Sequence, residues 1–167
     1  MITAYLGIGA NLTPSGYASL PEALEAAVAR IGKRYSLIKQ SKWYRTAPVP
    51  ISDQPDFLNA VLAIELEDSP EKLLAYLNEI EQEFGRVRTV RNAARVLDID
   101  ILFFGTQIIA SKTLEVPHPR LYGRAFVLRP LAEIAPEFCD PASGQKMTAL
   151  YDDFLQTAEG GQLCQPL

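Results

Sequence analysis

Residues 57–85, FLNAVLAIELEDSPEKLLAYLNEIEQEFG, carry the clearest secondary-structure signals in the chain. Alternating apolar side chains over residues 57–67 predict a strand. One face of that strand would carry Leu58, Ala60, Leu62, Ile64 and Leu66. A helix follows, because Ser69 can cap it, Pro70 suits its first position and Gly85 can end it. Its apolar stripe would consist of Leu73, Leu77, Ile80 and Phe84.

The residues before this stretch predict a strand, a helix and a second strand. The apolar side chains of Ala4, Leu6 and Ile8 alternate with Tyr5, Gly7 and Gly9, which suits a strand with one packed face and one closely approached face. A helical repeat begins at Leu20 and ends at Gly32. Residues 35–44 predict the second strand, and residues 46–56, which contain three prolines, predict a loop.

On the C-terminal side, residues 96–104 form an apolar run that predicts a central strand. Residues 124–135 predict a helix despite Pro130, and residues 149–155 carry a shorter helical pattern. The predicted order is β-α-β-β-α-β with additions. This is the pattern of an α+β ferredoxin-like sandwich, in which helices pack on an antiparallel sheet. A length of 167 residues suits a single domain over residues 1–167.

Composition and charge narrow the classes of function. The chain is 48% hydrophobic and 22% charged, which is typical of a globular protein rather than a disordered one. The formal net charge of −4 argues against a nucleic-acid-binding surface. Cys139 and Cys164 have no metal-binding spacing, and residues 1–12 lack the features of a signal peptide or a membrane span. We therefore expect a cytoplasmic protein without nucleic-acid or membrane partners. A monomer is the oligomeric state that we expect, although none of these features determines it.

Two aspartates mark a candidate catalytic strand. Asp98 and Asp100 are two residues apart, so their side chains should leave the same face with Cα atoms about 7 Å apart. Burying unpaired carboxylates is costly, and such a pair suits Mg²⁺, which completes its shell with water and substrate phosphates. The alternative is a polar face turned to water. A metal site is favoured because the same face should continue with Leu102 and Phe104.

Four arginines lie within ten residues, immediately before that strand. They are Arg86, Arg88, Arg91 and Arg95. Guanidinium groups bind phosphate oxygens bidentately, and a loop after a helix can close over a polyphosphate. The alternative is a solvated basic loop that pairs with Glu81 and Glu83. The adjacent acids favour a phosphate site, because phosphoryl transfer needs cations together with fixed positive groups.

Other polar residues are candidates for binding a substrate. His118, the single histidine, lies between two prolines in a loop that could present its imidazole to a phosphate; a structural role is the alternative. A second group could sandwich and hydrogen-bond a flat heterocycle, although turn and core roles explain each member equally well. This group is Thr46, Asp56, Phe57 and Asn59. Residues 7–12, GIGANL, lack the third glycine of a dinucleotide-binding motif, and the sequence contains no P-loop.

Together, these residues resemble the 6-hydroxymethyl-7,8-dihydropterin pyrophosphokinase family over residues 4–136. Seven motifs occur in the family's order. They are 9–12 (GANL), 44–46 (YRT), 53–59 (DQPDFLN), Glu81 with 85–88 (GRVR), Arg95 with 97–102 (LDIDIL), 116–119 (VPHP) and 124–131 (RAFVLRPL). The resemblance implies a ferredoxin-like enzyme that transfers pyrophosphate from ATP to a pterin alcohol in tetrahydrofolate biosynthesis, with release of AMP.

The resemblance also implies roles for individual residues. Asp98 and Asp100 would hold two Mg²⁺ ions on the ATP phosphates, and Arg86 and Arg95 would engage the polyphosphate. These four are the implied catalytic residues. The implied ATP contacts are Arg88, Ile101, His118 and Arg124. The implied pterin contacts are Thr46, Phe57, Asn59 and Phe126, the last by ring stacking.

The chain departs from the family pattern in the arginine segment. Residues 92–95, NAAR, stand where the family commonly has Trp-Gly-Pro before the arginine, and the only tryptophan is Trp43. Ala10 and Ala47 stand where serine and proline are common. The altered segment would support a non-catalytic pterin- or nucleotide-binding regulatory module of the same fold. A metal-dependent phosphohydrolase is a weaker alternative, because it has no need of the aromatic and amide pocket.

Overall fold

The strand predicted from residues 57–67 lies at the centre of the sheet. In the computed structural model, β4 (Phe57–Leu66) pairs antiparallel with β1 (Ile2–Ala10) on one side. On its other side it pairs with β2 (Ser36–Gln40) and then with β3 (Tyr44–Thr46). The structure describes residues 1–48, 50–85 and 96–167.

Two further strands form the ends of this sheet. β5 (Asp98–Phe104) pairs with β1, and β8 (Cys164–Pro166) pairs with β3, which gives the order β5-β1-β4-β3-β8 with β2 also beside β4. A separate small sheet joins β6 (Ile109–Ala110) to β7 (Glu115–Val116). With β2 and β3 taken as one broken strand, the first five strands have ferredoxin-like order. The predicted α+β sandwich is confirmed.

The helices form where the sequence predicts them. They are α1 (Leu20–Gly32), α2 (Pro70–Glu83), α3 (Ala125–Ile134) and α4 (Met147–Leu155). The Ser69 hydroxyl accepts a hydrogen bond from the Lys72 N–H at 3.2 Å and so caps α2 as predicted. Gly85 follows α2 with φ of +82°, a conformation that favours glycine. Within the described residues, no helix is long and apolar enough to cross a membrane.

Each face of the sheet carries a hydrophobic core. One core lies against α1 and α2, and the other lies against α3 and α4. β4 contributes to both: Leu62 and Ile64 point into the α1–α2 core, whereas Val61 and Ala63 point into the α3–α4 core. Successive side chains of a strand alternate between faces, so a single sheet supports both layers of helices.

The strand predicted over residues 35–44 is in fact two strands with a break at Ser41. At the break, residues 41–43 lie opposite only residues 60–61 of β4, as in a β-bulge, and a further shift of register lies between Leu37 and Lys39. The Ser41 hydroxyl accepts a hydrogen bond from the Val61 N–H at 2.9 Å and fills one position of the ladder with a side chain. Thr46, which was predicted to begin the loop, is instead the last residue of β3 and is buried.

β5 is an edge strand and not the central strand that its apolar sequence predicts. Its residues are apolar because the two cores cover both of its faces. Its outer edge is also occupied. The Glu81 carboxylate accepts from the Ile99 N–H at 2.8 Å, and the His118 N–H donates to the Leu102 carbonyl at 3.0 Å. These contacts satisfy backbone groups that an open edge would leave to water.

The expectation that Phe104 shares a face with the aspartates is wrong. A shift in the pairing of β5 with β1, opposite Tyr5 and Leu6, inserts one residue and reverses the alternation beyond it. Leu102 stays in the α3–α4 core, on the aspartate face, but Phe104 lies in the α1–α2 core. Phe103 takes its place, so the face beyond the aspartates is still apolar.

Candidate active site

The two aspartates predicted as metal ligands lie at the start of β5. Asp98 is opposite Gly9 and Asp100 is opposite Gly7 on β1. Both side chains leave the face on which α3 packs, as the two-residue spacing predicts. Both are partly exposed, so a ligand on that face can reach their oxygens. Within the described part of the chain, no group of three or more His, Cys, Asp or Glu side chains could hold a metal ion.

Glu81 holds β5 in place between the two aspartates. Its side chain is 2% exposed and accepts the Ile99 N–H, the backbone donor that lies between Asp98 and Asp100 in sequence. Glu81 is therefore buried, whereas the arginines of the alternative basic loop, which would pair with it, lie outside the described residues. The sequence does carry a signal for this role, because Glu81 falls on the apolar stripe of α2, three residues before Phe84.

Glu83, the other acid named in that alternative, lies on the exposed surface of the same helix. Both of its carboxylate oxygens are bound by Arg30 of α1, at 3.1 Å from Nε and 2.9 Å from Nη2. This bidentate pair ties the end of α2 to α1.

His118 faces the same pair of aspartates from the loop after β7. Its Nδ1 accepts from the Arg120 N–H at 3.2 Å, and its Nε2 lies 3.9 Å from the Asp100 Oδ2. Burial lowers the pKa of His118, the Arg124 charge lowers it further, and the Asp98 charge opposes both. The imidazole is therefore neutral at pH 7. Its proton is on Nε2, because Nδ1 acts as an acceptor, and that N–H points towards the aspartate side of the site.

A buried amide lies beside the acids on the same face. Asn59 of β4 is opposite Gly9, which is in turn opposite Asp98, so one row across three strands carries both side chains. The Asn59 Nδ2 donates to the Thr46 hydroxyl at 2.8 Å, and both residues are buried. A Cβ on Gly9 would lie 1.9 Å from the Asn59 Oδ1. Only glycine fits there, because the amide lies directly on the β1 backbone.

Two aromatic rings and an arginine belong to the same group of predicted residues. Phe57 begins β4 opposite Thr46, and Phe126 lies in the first turn of α3; both are partly buried. The Arg124 guanidinium lies over the Phe126 ring, with Cζ 5.3 Å from the ring centroid. The first turn of α3 thus pairs a predicted ATP contact with a predicted pterin contact.

The proline-rich loop is attached to the end of β1. The Asn11 Nδ2 donates to the Gln54 Oε1 at 3.1 Å and to the Pro55 carbonyl at 3.0 Å. Asp56, named with the heterocycle-binding group, lies 3.9 Å from the Arg45 Nε on the exposed side. The Asn11 contacts fix the loop that leads into Phe57, a role that the sequence does not reveal.

The remaining predicted residues divide into two groups. The Ile101 side chain is buried in the α1–α2 core, on the face opposite the aspartates, so only its backbone could contact a nucleotide. Arg86, Arg88 and Arg95 lie outside the described residues, as do the other residues of the arginine segment. The structure thus brings together both aspartates, His118, Asn59 and Thr46 on one face or edge of the sheet.

Comparisons with known proteins identify the family of this chain and support its fold. The model of the 7,8-dihydro-6-hydroxymethylpterin-pyrophosphokinase family matches residues 5–136. A curated relative from Haemophilus influenzae, 2-amino-4-hydroxy-6-hydroxymethyldihydropteridine pyrophosphokinase, is 44% identical over 157 residues, covering 92% of this chain and 94% of the relative. The protein of the same name from Bacillus subtilis is 41% identical, covering 78% of this chain and 77% of the relative.

Longer proteins also contain a region similar to this chain. The folic acid synthesis protein fol1 of Pneumocystis carinii is 35% identical over 89% of this chain, which spans 20% of that protein. A crystal structure of Plasmodium falciparum HPPK-DHPS superimposes with a TM-score of 0.72 at 14% identity, covering 92% of this chain and 44% of that chain. At that identity, the likeness supports the fold. On the family match and the bacterial relatives, this chain belongs to the 7,8-dihydro-6-hydroxymethylpterin-pyrophosphokinase family.

Proposed function

We propose that this protein is an enzyme that transfers pyrophosphate from ATP to the hydroxymethyl group of 6-hydroxymethyl-7,8-dihydropterin, releasing AMP, in tetrahydrofolate biosynthesis. The observation that carries the proposal is the row of residues across the sheet. Asp98, Gly9 and Asn59 are directly opposite one another on three strands, so a carboxylate and a buried amide lie side by side on one face. A phosphate-binding half and a heterocycle-binding half therefore adjoin.

The acids of this row fit a divalent cation. Asp98 and Asp100 offer hard oxygen donors on one partly exposed face, and Mg²⁺ is commonly held by one or two carboxylates together with water and substrate phosphates. When bound there with ATP, two Mg²⁺ ions would neutralise phosphate charge and polarise the reacting phosphoryl group. Glu81 supports this pair, since it fixes the strand between the two ligands.

The other polar residues take the roles that their positions suit. His118 presents a neutral Nε2–H donor for an ATP phosphate oxygen, and Arg124 contributes positive charge at the start of α3. We assign Arg88 and the Ile101 backbone to the nucleotide, and Arg86 and Arg95 to the transferred group, where their charge would stabilise the transition state.

The pterin would lie against the amide side of the row. The Asn59 amide donates a hydrogen bond to the Thr46 hydroxyl, and this bond fixes the orientation of the amide before a ligand binds. Ring stacking on Phe126, with Phe57 at the other side of the pocket, would hold the flat heterocycle by its faces. In this pose the hydroxymethyl group points along the row towards Asp98.

In this mechanism, the protein contributes mainly by positioning the two reactants. The pterin hydroxyl oxygen attacks the β-phosphorus of ATP in line, the bond to the α,β-bridging oxygen breaks, AMP leaves and the hydroxyl proton is lost to solvent. The residues of the sheet hold the two reactants in contact, and the cationic groups stabilise the charge that spreads over the transferred phosphoryl oxygens.

An AMP-release assay tests the proposal directly. The protein is mixed with ATP, Mg²⁺ and 6-hydroxymethyl-7,8-dihydropterin, and nucleotides are separated by chromatography. One AMP should form for each pterin diphosphate. Release of ADP, or of AMP without pterin, would contradict the assignment. Binding of both substrates without AMP release would instead support the regulatory module.

We also propose an oligomeric state and a cellular location for the protein. All the predicted contacts come from one chain, so we propose a single-domain monomer that works in the cytoplasm, where ATP is available. Sedimentation equilibrium with both substrates present should give one chain mass, near 18.5 kDa. A larger mass that appears together with activity would count against the monomer.

A further inference from the structure

The C-terminal segment contacts the active-site end of α3, although it lies outside the 5–136 match to the family. The Gln162 Oε1 accepts from the Ala125 N–H at 3.1 Å, and its Nε2 donates to the Gly123 carbonyl at 3.2 Å. One amide thus bonds to the residues immediately before and after Arg124. Two residues further on, the Cys164 carbonyl accepts from the Arg129 Nη1 at 2.5 Å.

The first turn of α3 needs a hydrogen-bond acceptor from outside the helix. Helices begin with backbone N–H groups that have no acceptor within the helix, and a side-chain oxygen usually accepts from one of them. Arg124 stands at the capping position of α3 but forms no capping hydrogen bond with its side chain, and the first turn carries no acidic residue. Gln162 therefore supplies from the C-terminal segment what the helix itself lacks.

The hydrogen bonds of Gln162 restrain the backbone beside two residues that are predicted to contact the substrates. Arg124 and Phe126 flank Ala125, and the Arg124 guanidinium lies over the Phe126 ring. Gly123, the other partner of Gln162, is the last residue of the 3-10 turn over residues 121–123 and has open space where a Cβ would be. The Gln162 amide therefore adds a side-chain hydrogen bond to the backbone hydrogen bonds of that turn.

The same segment reaches the opposite side of the pterin pocket. In β8, Cys164 is directly opposite Thr46 of β3, whose hydroxyl accepts from Asn59. The Cys164 thiol also lies 3.7 Å from the Ala125 carbonyl. The segment from Gln162 to Pro166 therefore joins the strand that carries Thr46 to the helix turn that carries Phe126.

We infer that Gln162 is a positioning residue, which orients Arg124 and Phe126 for the two substrates without touching either one. This inference rests on the proposed function. The residue holds the first turn of α3 at a fixed distance from β3 and so sets the width of the pterin pocket.

Steady-state kinetics of Gln162→Met test the inference, because methionine keeps the volume and removes both hydrogen bonds. With both hydrogen bonds gone, the KM for the pterin should rise at least about fivefold, the factor that corresponds to the net contribution of a single hydrogen bond, with kcat changed less than about twofold. Pterin affinity measured by calorimetry, with Mg²⁺ and a non-hydrolysable ATP analogue present, should fall by the same factor. The thermal midpoint should fall by only several degrees, about 2–4 °C for each kcal/mol of stability that is lost with the hydrogen bonds.

Gln165→Met is the matched control. Gln165 lies in the same segment, is exposed, and bonds to Arg45 rather than to α3. Its KM values should stay within about 1.5-fold of wild type, a range below the effect of one hydrogen bond. Gln162→Glu, which keeps the acceptor for Ala125 but loses the donor to Gly123, should give a pterin KM between those of wild type and Gln162→Met. Equal KM values for Gln162→Met and Gln165→Met would overturn the inference.

The outcomes separate this inference from the proposed function. A wild-type protein that releases no AMP in the presence of pterin would refute the proposed function. An active wild type whose pterin KM is unmoved by Gln162→Met would refute only the positioning role. If Gln162→Met does not fold, Gln162→Asn replaces it with the same expectations, since the shorter side chain cannot span both partners.

Discussion

At the scale of single residues, Gly9 lies between Asp98 and Asn59, where the two halves of the proposed site would adjoin. A methyl group at this position would lie 1.9 Å from the Asn59 Oδ1 and 3.0 Å from the Leu58 carbonyl. Gly9→Ala must therefore push the Asn59 amide away from Thr46. We expect the KM for the pterin to rise at least about tenfold, since a displaced amide loses its hydrogen bonds, with a smaller effect on the KM for ATP.

Gly7→Ala provides the comparison for this prediction. Gly7 lies on the same face of the same strand, but its added methyl group would lie 3.5 Å from Leu102, an ordinary van der Waals distance. Its pterin KM should change less than about twofold, well below the effect of a lost hydrogen bond. A similar rise in both variants would show that Gly9→Ala acts through general loosening of β1.

Asp98 and Asp100 should be indispensable for turnover and dispensable for folding. Asp98→Asn or Asp100→Asn keeps the side-chain shape but removes a negative oxygen ligand, so we expect AMP release to fall at least about a thousandfold. Circular dichroism and the thermal midpoint should match wild type, because both side chains are partly exposed. The exposed Asp152→Asn serves as the control and should retain full turnover. Full activity in either of the first two variants would exclude their role as metal ligands.

At the scale of elements, Asp68 joins the end of α1 to the start of α2. It accepts from the Tyr35 hydroxyl at 2.9 Å and from the Arg34 Nε and Nη2 at 3.1 Å and 2.9 Å. These hydrogen bonds, that of Tyr35 first, hold the pKa of Asp68 below its ordinary value. Its contribution to stability is therefore complete above the ordinary carboxyl range and is lost as pH falls through the lowered pKa.

Asp68→Asn tests this dependence on pH. The variant should have a lower free energy of unfolding than wild type at pH 7, and the difference should shrink below about pH 4 as the wild-type carboxylate is protonated. Urea unfolding curves at pH 7 and pH 3 measure both values. A difference that is the same at the two pH values would mean that Asp68 acts without its charge.

The sequence predicts the elements best where their signals are local. α2 forms between Ser69 and Gly85, as its cap and its terminator predict. The break between β2 and β3 cannot be recognised from the sequence, because every residue around Ser41 is compatible with an extended chain. What sets that break is the pairing partner, β4, and the sequence does not reveal the register. The bulge that turns Phe104 away from the aspartates was missed for the same reason.

The site shows the same division between local and long-range information. The spacing of Asp98 and Asp100 predicts their shared face, because strand alternation is local. Glu81 and Gln162 were missed as supporting residues, since each acts on a partner remote in sequence. Of the two, only Glu81 can be recognised from the sequence, because it is an acidic residue on the apolar stripe of a predicted helix. Gln162 lies in a segment with no such pattern.

At the scale of the whole molecule, charge is distributed unevenly. The chain carries a formal net charge of −4, and its candidate metal ligands are acids, so ATP is repelled both by the protein as a whole and by the site alone. In the proposed site, cations between the aspartates and the phosphates, together with the four arginines that precede β5 in the sequence, would reverse this sign locally. An acidic protein could thus bind a polyanion, provided that positive groups are concentrated where the polyanion binds.

The sheet also determines how the molecule should unfold. β4 supplies Leu62 to the α1–α2 core and Val61 to the α3–α4 core, so neither core can exist without the strands that they share. We expect one cooperative transition in urea, with coincident curves from far-UV circular dichroism and from the fluorescence of Trp43, which packs against the α1–α2 core. Phe154→Leu removes packing from the other core and should lower the free energy of unfolding by about 1–2 kcal/mol. Because the sheet couples the two layers, the Trp43 curve should shift as far as the circular dichroism curve. A Trp43 transition that Phe154→Leu leaves in place would show that the two layers unfold separately, and the chain would then hold two folding units.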